Sequence, residues 1–134
     1  MFKRIGAIAL VLSFHAFAQS NLYILSTAYS GKSTLYKRGV HTGAALTEIA
    51  PTLNPPLSQD AVVRVSGGKL FVLERSLFPN ADRIRVFDPQ QLSAAPVSVS
   101  LTVGANPQDI VYVPALGKAF VTRSEEHTSE LQSH

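Results

Sequence analysis

Cysteine is absent from the chain of 134 residues. Its absence excludes disulfide bonds, thiolate metal sites and a lipid-modified cysteine after a leader. No apolar run reaches the roughly 20 residues that a membrane-spanning helix needs, since the apolar segment at 5–14 is too short. Residues 19–122 hold nine basic and six acidic side chains, a net charge of +3, without any basic cluster. This scatter is poor evidence for nucleic-acid binding.

The N-terminus is typical of a secretory signal peptide. Lys3 and Arg4 precede the apolar segment, and Ala16-Phe17-Ala18 offers the small-x-small pattern that signal peptidase accepts. We therefore predict a signal peptide at 1–18 and a mature protein in the periplasm or at the cell surface, with no membrane span after cleavage. An uncleaved anchor or a buried strand is the alternative.

The last residues of the chain are mostly polar and differ sharply from the apolar, strand-like sequence before them. Residues 123–133 resemble, residue for residue, the conceptual translation of a widely used short-read sequencing adapter, and His134 is compatible with its next base. We expect 123–134 not to be native. The alternative is an ordinary polar tail.

One segment of the chain occurs twice. Residues 59–72 align without a gap on residues 108–121, and Gln, Asp, Val, Gly, Lys, Phe and Val recur at matching places. The offset of 49 residues predicts a repeat architecture. An immunoglobulin-like sandwich is an alternative fold, but the strands of a sandwich rarely repeat so closely in sequence.

Short strand-like runs fill each period. In the best-defined one they lie at 61–65, 70–73, 84–87 and 97–103, separated by turn residues. The second run is apolar on both faces, as in a strand between neighbouring sheets, and the fourth alternates, as in an outer strand. We predict an all-β fold: a partial β-propeller of about two and a third four-stranded antiparallel blades.

The predicted organisation of residues 19–122 follows from these runs. Residues 21–49 form an incomplete blade without a first strand, 59–103 a full blade, and 108–122 a truncated blade. Many propellers close their ring when the C-terminal chain supplies the strand that the first blade lacks. We expect the chain to be the front end of a larger ring.

The repeat resembles the YVTN family of β-propeller repeats. Gly117-Lys118-Ala119-Phe120-Val121-Thr122 resembles the family signature, with Phe120-Val121-Thr122 in place of Tyr-Val-Thr, and Asn106-Pro107-Gln108-Asp109-Ile110 resembles the preceding turn and strand. The earlier copy, at 71–74, keeps only the apolar part. The resemblance covers about 21–122 and implies a scaffold rather than a particular activity.

Residues that could carry chemistry are few. Gly31-Lys32-Ser33-Thr34 resembles the end of a phosphate-binding loop, but Ser26 stands where that motif needs glycine, and no helical pattern follows. We interpret it as a polar turn between strands. His41 is the one histidine between the leader and the tail, so a metal or triad role lacks partners.

Acidic residues mark the strand ends. Asp60 and Asp109 begin equivalent strands and could line a pore or bind Ca²⁺, but we favour carboxylates that accept backbone N–H bonds. Asp82 and Asp88 are predicted turn residues. The loop Leu77-Phe78-Pro79 could contact a partner, although packing against a neighbouring blade is preferred.

The predicted function is a binding or scaffolding module whose loops on one propeller face contact a protein or a surface ligand, with no nucleic acid. We assign no catalytic, cofactor-binding or metal-ligating residue. The alternative is a piece of a lactonase-, glycosidase- or oxidoreductase-like propeller enzyme, for which Asp60, Asp109, Arg64 and Arg85 would be the available groups. An open end around Ile110, Tyr112, Phe120 and Val121 predicts marginal stability for 19–122 alone.

Overall fold

The computed structural model describes residues 20–27, 32–40, 43–76 and 80–124. The predicted signal peptide, His41, the loop at 77–79 and residues 125–134 lie outside these ranges. Within them every strand pairing is antiparallel, and the helical structure is a 3-10 turn at Pro114–Leu116. The predicted all-β class is confirmed.

The described strands form three sheets. The first contains β1 (Asn21–Ser26), β2 (Thr34–Gly39) and β3 (Thr47–Glu48). The second contains β4 (Asp60–Ser66), β5 (Lys69–Arg75), β6 (Arg83–Phe87) and β7 (Val97–Ser100). The third contains β8 (Pro107–Val113) and β9 (Lys118–Arg123). Strands follow chain order in each sheet, so each sheet is a meander.

The second sheet holds the four strands that the sequence predicts for its period. Residues 70–73 of β5 are buried on both faces, as expected for a strand between two layers. β7 is the outer strand, but its valines are exposed and it ends at Ser100, before the predicted end at Val103. The expectation of one buried face on this strand is therefore wrong.

Glycine makes the turn between β4 and β5. Gly67 and Gly68 have φ of 52° and 75°, the positive values that a two-residue hairpin of type I′ requires at both positions. In the third sheet, residues 114–117 make a four-residue connection between Val113 and Lys118 instead. The strand registers of the two hairpins consequently differ by two residues. Asp60 pairs with Arg75, whereas its equivalent Asp109 pairs with Thr122, two residues before the equivalent of Arg75 at position 124.

The first and second sheets pack face to face. Their shared core contains Leu35 of β2 and, from the second sheet, Leu70, Val72 and Phe87, with Tyr23 of β1 packed against it. Because side chains alternate along a strand, the opposite face of β5 carries Phe71 and Leu73. These two pack with Ile84 against Ile110, Tyr112 and Val121 of the third sheet. The second sheet is therefore covered on both sides.

The three sheets stack with the same polarity. We call the face that each sheet turns toward the next one its front, and the opposite face its back. The equivalent front residues of β1, β5 and β9 are Tyr23, Phe71 and Phe120: Tyr23 packs against the second sheet, Phe71 packs against the third, and Phe120 follows Phe71 by the repeat offset of 49 residues. Leu22, Leu70 and Ala119 are the matching back residues. Each front packs on the back of the following sheet, with no sheet turned over.

The exposed end of the stack differs from the predicted one. Ile110 is buried, and Tyr112 and Val121 are packed against the second sheet because they lie on the back of the third. The exposed front carries Val111 (52% exposed) and Phe120 (53% exposed). The prediction was therefore right for Phe120 and wrong for the other three residues.

Over the described ranges, no helix is long and apolar enough to span a membrane.

Candidate functional site

A cleft opens at the edge where β5 ends and β6 begins. It has a volume of about 370 Å³ and lies between Lys32, just before β2, and residues 55–59, which lead into β4. We call it the inter-sheet cleft. Its charged lining residues are Lys32, Glu74, Arg75 and Arg83, and its polar ones include Ser58, Ser76 and Asn80. The rim is therefore rich in cations and hydrogen-bonding groups.

A buried ion pair lies under this cleft. The Glu74 carboxylate is fully buried, and its Oε2 accepts a hydrogen bond of 2.6 Å from Nε of Arg85, which is also buried. The backbone N–H of Ser58 donates to Glu74 Oε1 at 2.8 Å. Because its charge is already paired with Arg85 and hydrogen-bonded inside the protein, Glu74 only partly offsets the cations at the rim.

Arg85 also positions the cleft wall. Its Nη2 donates to the carbonyl oxygens of Pro55 and Pro56, at 2.7 and 3.1 Å. One guanidinium therefore links β6 to β5 and to the segment that connects the first two sheets. The rigid fork of an arginine side chain suits such a multiple contact.

Arg75 and Arg83 carry the positive charge at the second sheet's edge. Nη2 of Arg75 lies 2.6 Å from Oδ1 of Asp60, and its Nη1 donates to Oε1 of Gln108 at 3.1 Å. Nε of Arg75 is buried and has no partner. Nε of Arg83 is 3.8 Å from Glu74 Oε2, a loose contact that leaves Arg83 able to face a ligand.

Lys32 approaches the cleft from the first sheet. It belongs to the segment that resembles a phosphate-binding loop, but Thr34 opens strand β2 rather than a helix. Over residues 32–34 the structure shows a β-bridge at Ser33 and the start of β2 rather than the predicted polar turn, and Gly31 lies outside the described residues. Ser33 is buried, bridges to Leu57, and its hydroxyl has no hydrogen-bond partner among the described residues.

The four residues considered for catalysis do not converge. Arg64 Nε pairs with Asp109 Oδ1 at 2.7 Å near the third sheet, Asp60 pairs with Arg75, and Arg85 pairs with Glu74. The four charges thus lie in three separate ion pairs, one of which joins Arg64 to Asp109. In the described ranges, no group of three or more histidine and carboxylate side chains could hold a metal ion.

Asp109 accepts the backbone bond that the sequence predicts. Its Oδ1 takes the N–H of Ile110 at 2.8 Å, and this bond, followed by the contact with Arg64, lowers the pKa of the carboxyl. A lowered pKa in the folded state favours folding above the ordinary pKa, and that contribution disappears on acidification. Asp60 differs, because its carboxylate pairs with the Arg75 guanidinium.

Asp82 and Asp88 accept backbone hydrogen bonds as predicted. Asp88 takes the N–H of Gln90 in a turn. Asp82 is buried and does more: its two oxygens accept the N–H groups of Ser76 and Asn106, at 2.7 and 2.6 Å. It therefore fastens the second sheet to the segment that enters the third.

Sequence reasoning missed Glu74, Arg75 and the cleft itself. The available signal was a charged residue directly after the apolar run of β5, together with an arginine between two apolar residues of β6. A charge in a strand that is buried on both faces needs a partner, and β5 and β6 are adjacent.

Comparisons with protein-family models, with curated proteins and with solved structures gave no match. The resemblance to YVTN repeats stays a prediction.

Proposed function

We propose that the protein is an exported binding module built on a β-propeller of the YVTN type, acting in the periplasm or at the cell surface. The observation that carries this proposal is the stacking of three antiparallel sheets with one polarity, the second of them covered on both faces. Radial repetition of such sheets is how propellers are built.

The innermost strands agree with this arrangement. β4 contacts both β1 and β8, so successive sheets meet along their first strands as well as across their faces. Over the described residues the first sheet has no strand equivalent to β4, and β1 pairs on one side with β2. In a propeller, a strand from a later part of the chain would pair with the other side of β1 and close the ring.

The inter-sheet cleft is the proposed ligand site. Lys32, Arg75 and Arg83 line it, while the carboxylate among its lining residues, Glu74, is committed to Arg85. Arg75 also pairs with Asp60, and Arg83 loosely with Glu74, but the lining still holds three cations against one carboxylate. A cleft with this excess of positive charge favours an anionic ligand, since the surrounding protein limits screening. We propose an acidic peptide segment as the ligand class, because a cleft of about 370 Å³ has room for more than a single ion and its lining includes several hydrogen-bonding side chains.

Fluorescence anisotropy with a labelled peptide of six glutamates tests this site. The full chain is expected to bind the peptide, and the variant carrying Lys32→Gln and Arg83→Gln to bind it at least about fivefold more weakly, because two rim charges are gone. Lys118→Gln removes an exposed charge on the third sheet, away from the cleft, and is expected to leave the affinity unchanged.

A peptide of six glutamines is the ligand control, and raising the salt concentration should weaken binding of the acidic peptide. Equal affinity for the two peptides, or equal losses in the rim variant and in Lys118→Gln, would refute the proposed ligand. Export is tested separately: protein recovered from outside the cytoplasm should begin at Gln19.

A further inference from the structure

The uniform polarity of the stack leaves two different faces, one at each end, that none of the described residues covers. The front of the third sheet presents Val111 and Phe120, together with Thr122, above a shallow groove of about 190 Å³. The back of the first sheet presents Leu22 (50% exposed) and, beside it in the pairing, Ile24 and Tyr36. Exposed apolar surface of this kind marks an interaction site.

The protein already contains the interface that these two faces would make. Phe71, equivalent to Phe120, is buried against the back of the third sheet, and Leu70 and Val72, equivalent to Leu22 and Ile24, are buried against the front of the first. The same front-to-back packing therefore occurs twice within one chain. Both exposed faces keep the large apolar residues that such packing uses.

We propose that the front of the third sheet binds the back of the first sheet of a second copy of this chain. The interface is heterologous, because it joins two different surfaces, so copies add head to tail. Such a contact generates a ring when its rotation closes and an open ladder when it does not. The second copy would occupy the place that a further repeat of the chain takes in the proposed propeller, so the proposal concerns the chain of 134 residues itself. It depends on the polarity of the sheets and not on the cleft or its ligand.

Polar groups at the two faces are compatible with this contact. Asp109 lies at the border of the front patch, and Arg38 faces Leu22 on the back patch. Asp109 is exposed although it pairs with Arg64. Opposite charges at the rim would favour the correct orientation of the second copy more than they would raise the affinity.

A mixing experiment with two single variants tests the proposal. Phe120→Glu places a charge on the front and leaves the back intact, and Leu22→Glu does the reverse. In sedimentation velocity the unmodified chain is expected to form concentration-dependent oligomers, and each variant alone to be monomeric, with association weakened at least about tenfold. An equimolar mixture should form a 1:1 complex and nothing larger, because it joins the one intact front to the one intact back.

Alternative outcomes are distinct. A front-to-front dimer would survive in Leu22→Glu alone, a back-to-back dimer would survive in Phe120→Glu alone, and either result overturns the proposal. An unmodified chain that stays monomeric, or a mixture without a complex, overturns it as well. Leu116→Glu, a charge at a turn residue that is 61% exposed, controls for charge itself and should associate like the unmodified chain.

Cross-linking gives a second measurement that does not depend on solubility. The chain has no cysteine, so the thiol that Phe120→Cys or Leu22→Cys introduces is the one thiol of that variant. Oxidation of an equimolar mixture should give mainly the mixed disulfide dimer. Equal yields of mixed and like-with-like dimers would indicate random collision and contradict the proposal. Far-UV circular dichroism and urea unfolding provide the independent check that each variant is folded.

Discussion

The hairpins β4–β5 and β8–β9 carry copies of one sequence segment but lie in different surroundings. Phe71 of the first copy is 2% exposed, while its equivalent Phe120 is 53% exposed. The strands are alike, so the difference comes from what lies on their fronts: the third sheet covers Phe71, and no described residue covers Phe120. In a repeat protein, the burial of a residue is decided by the neighbouring repeat as much as by its own strand.

The two phenylalanines should therefore respond differently to truncation. Phe71→Ala is expected to lower the free energy of unfolding by about 3–5 kcal/mol, because it leaves a cavity between the second and third sheets. Phe120→Ala is expected to change it by less than about 1 kcal/mol at protein concentrations where the chain is monomeric. Urea unfolding of both variants measures the difference, and similar losses would mean that the third sheet does not cover Phe71 in solution.

Two ion pairs extend the same comparison to charge. Glu74→Gln breaks the buried pair with Arg85 and is expected to cost about 3–5 kcal/mol, since it strands a buried guanidinium. Asp109→Asn breaks an exposed pair and should lower stability far less, because water screens that pair and the asparagine oxygen can still accept the N–H of Ile110.

The double variant carrying Glu74→Leu and Arg85→Met shows whether the cost of Glu74→Gln comes from the stranded charge. Because both charges are removed together, it should recover more than half of the stability lost in Glu74→Gln. No recovery would assign the loss to the contacts that Arg85 makes with Pro55 and Pro56 instead.

The turn glycines provide a smaller and more local comparison. Both have positive φ, so alanine at Gly68, where a Cβ meets nothing within 4 Å, should cost about 1 kcal/mol. At Gly67 a Cβ would lie 2.7 Å from Cδ1 of Tyr112 and 3.0 Å from its carbonyl oxygen. Gly67→Ala should therefore cost a further 1–3 kcal/mol or so, because the third sheet must move. Equal costs in urea unfolding would show that Tyr112 does not press on this turn.

Much of the fold could be predicted because its signals are local. The apolar run of β5, the Gly67-Gly68 turn and the 49-residue offset indicate strands, a hairpin and a repeat without any knowledge of tertiary contacts. Which face of a strand is covered could not be predicted in this way. Ile110 and Phe120 both read as apolar strand residues, and only the stacking order places one inside and the other outside.

The candidate site was less predictable for a related reason. Glu74 and Arg85 are separated by eleven residues, and their pairing depends on how β5 and β6 align. Lys32 comes to the same cleft from another sheet altogether. Single-residue patterns identify turn aspartates such as Asp88, whose partner is two residues away, but not groups that meet through packing.

Substitution of Tyr23 has the smallest expected effect on stability, and it allows the first sheet to be compared with the second. It occupies the front position that Phe71 fills in the second sheet, but its hydroxyl is buried and has no hydrogen-bond partner among the described residues. Tyr23→Phe should therefore stabilise the protein by about 1 kcal/mol, because a buried unsatisfied polar group is removed. Phe71→Tyr, the reverse change, should destabilise it by at least as much.

The pH dependence provides the check on Tyr23. Burial raises the pKa of its phenol, so the unfolded chain loses this proton first as the pH rises. The protonated phenol therefore contributes to stability in full below the ordinary tyrosine pKa of about 10, and this contribution is lost as the pH rises toward the raised pKa. Unfolding measured from about pH 8 to about pH 11 should show a steeper loss of stability in the unmodified chain than in Tyr23→Phe. Parallel curves would mean that the hydroxyl reaches water, and the expected gain from phenylalanine would then vanish with it.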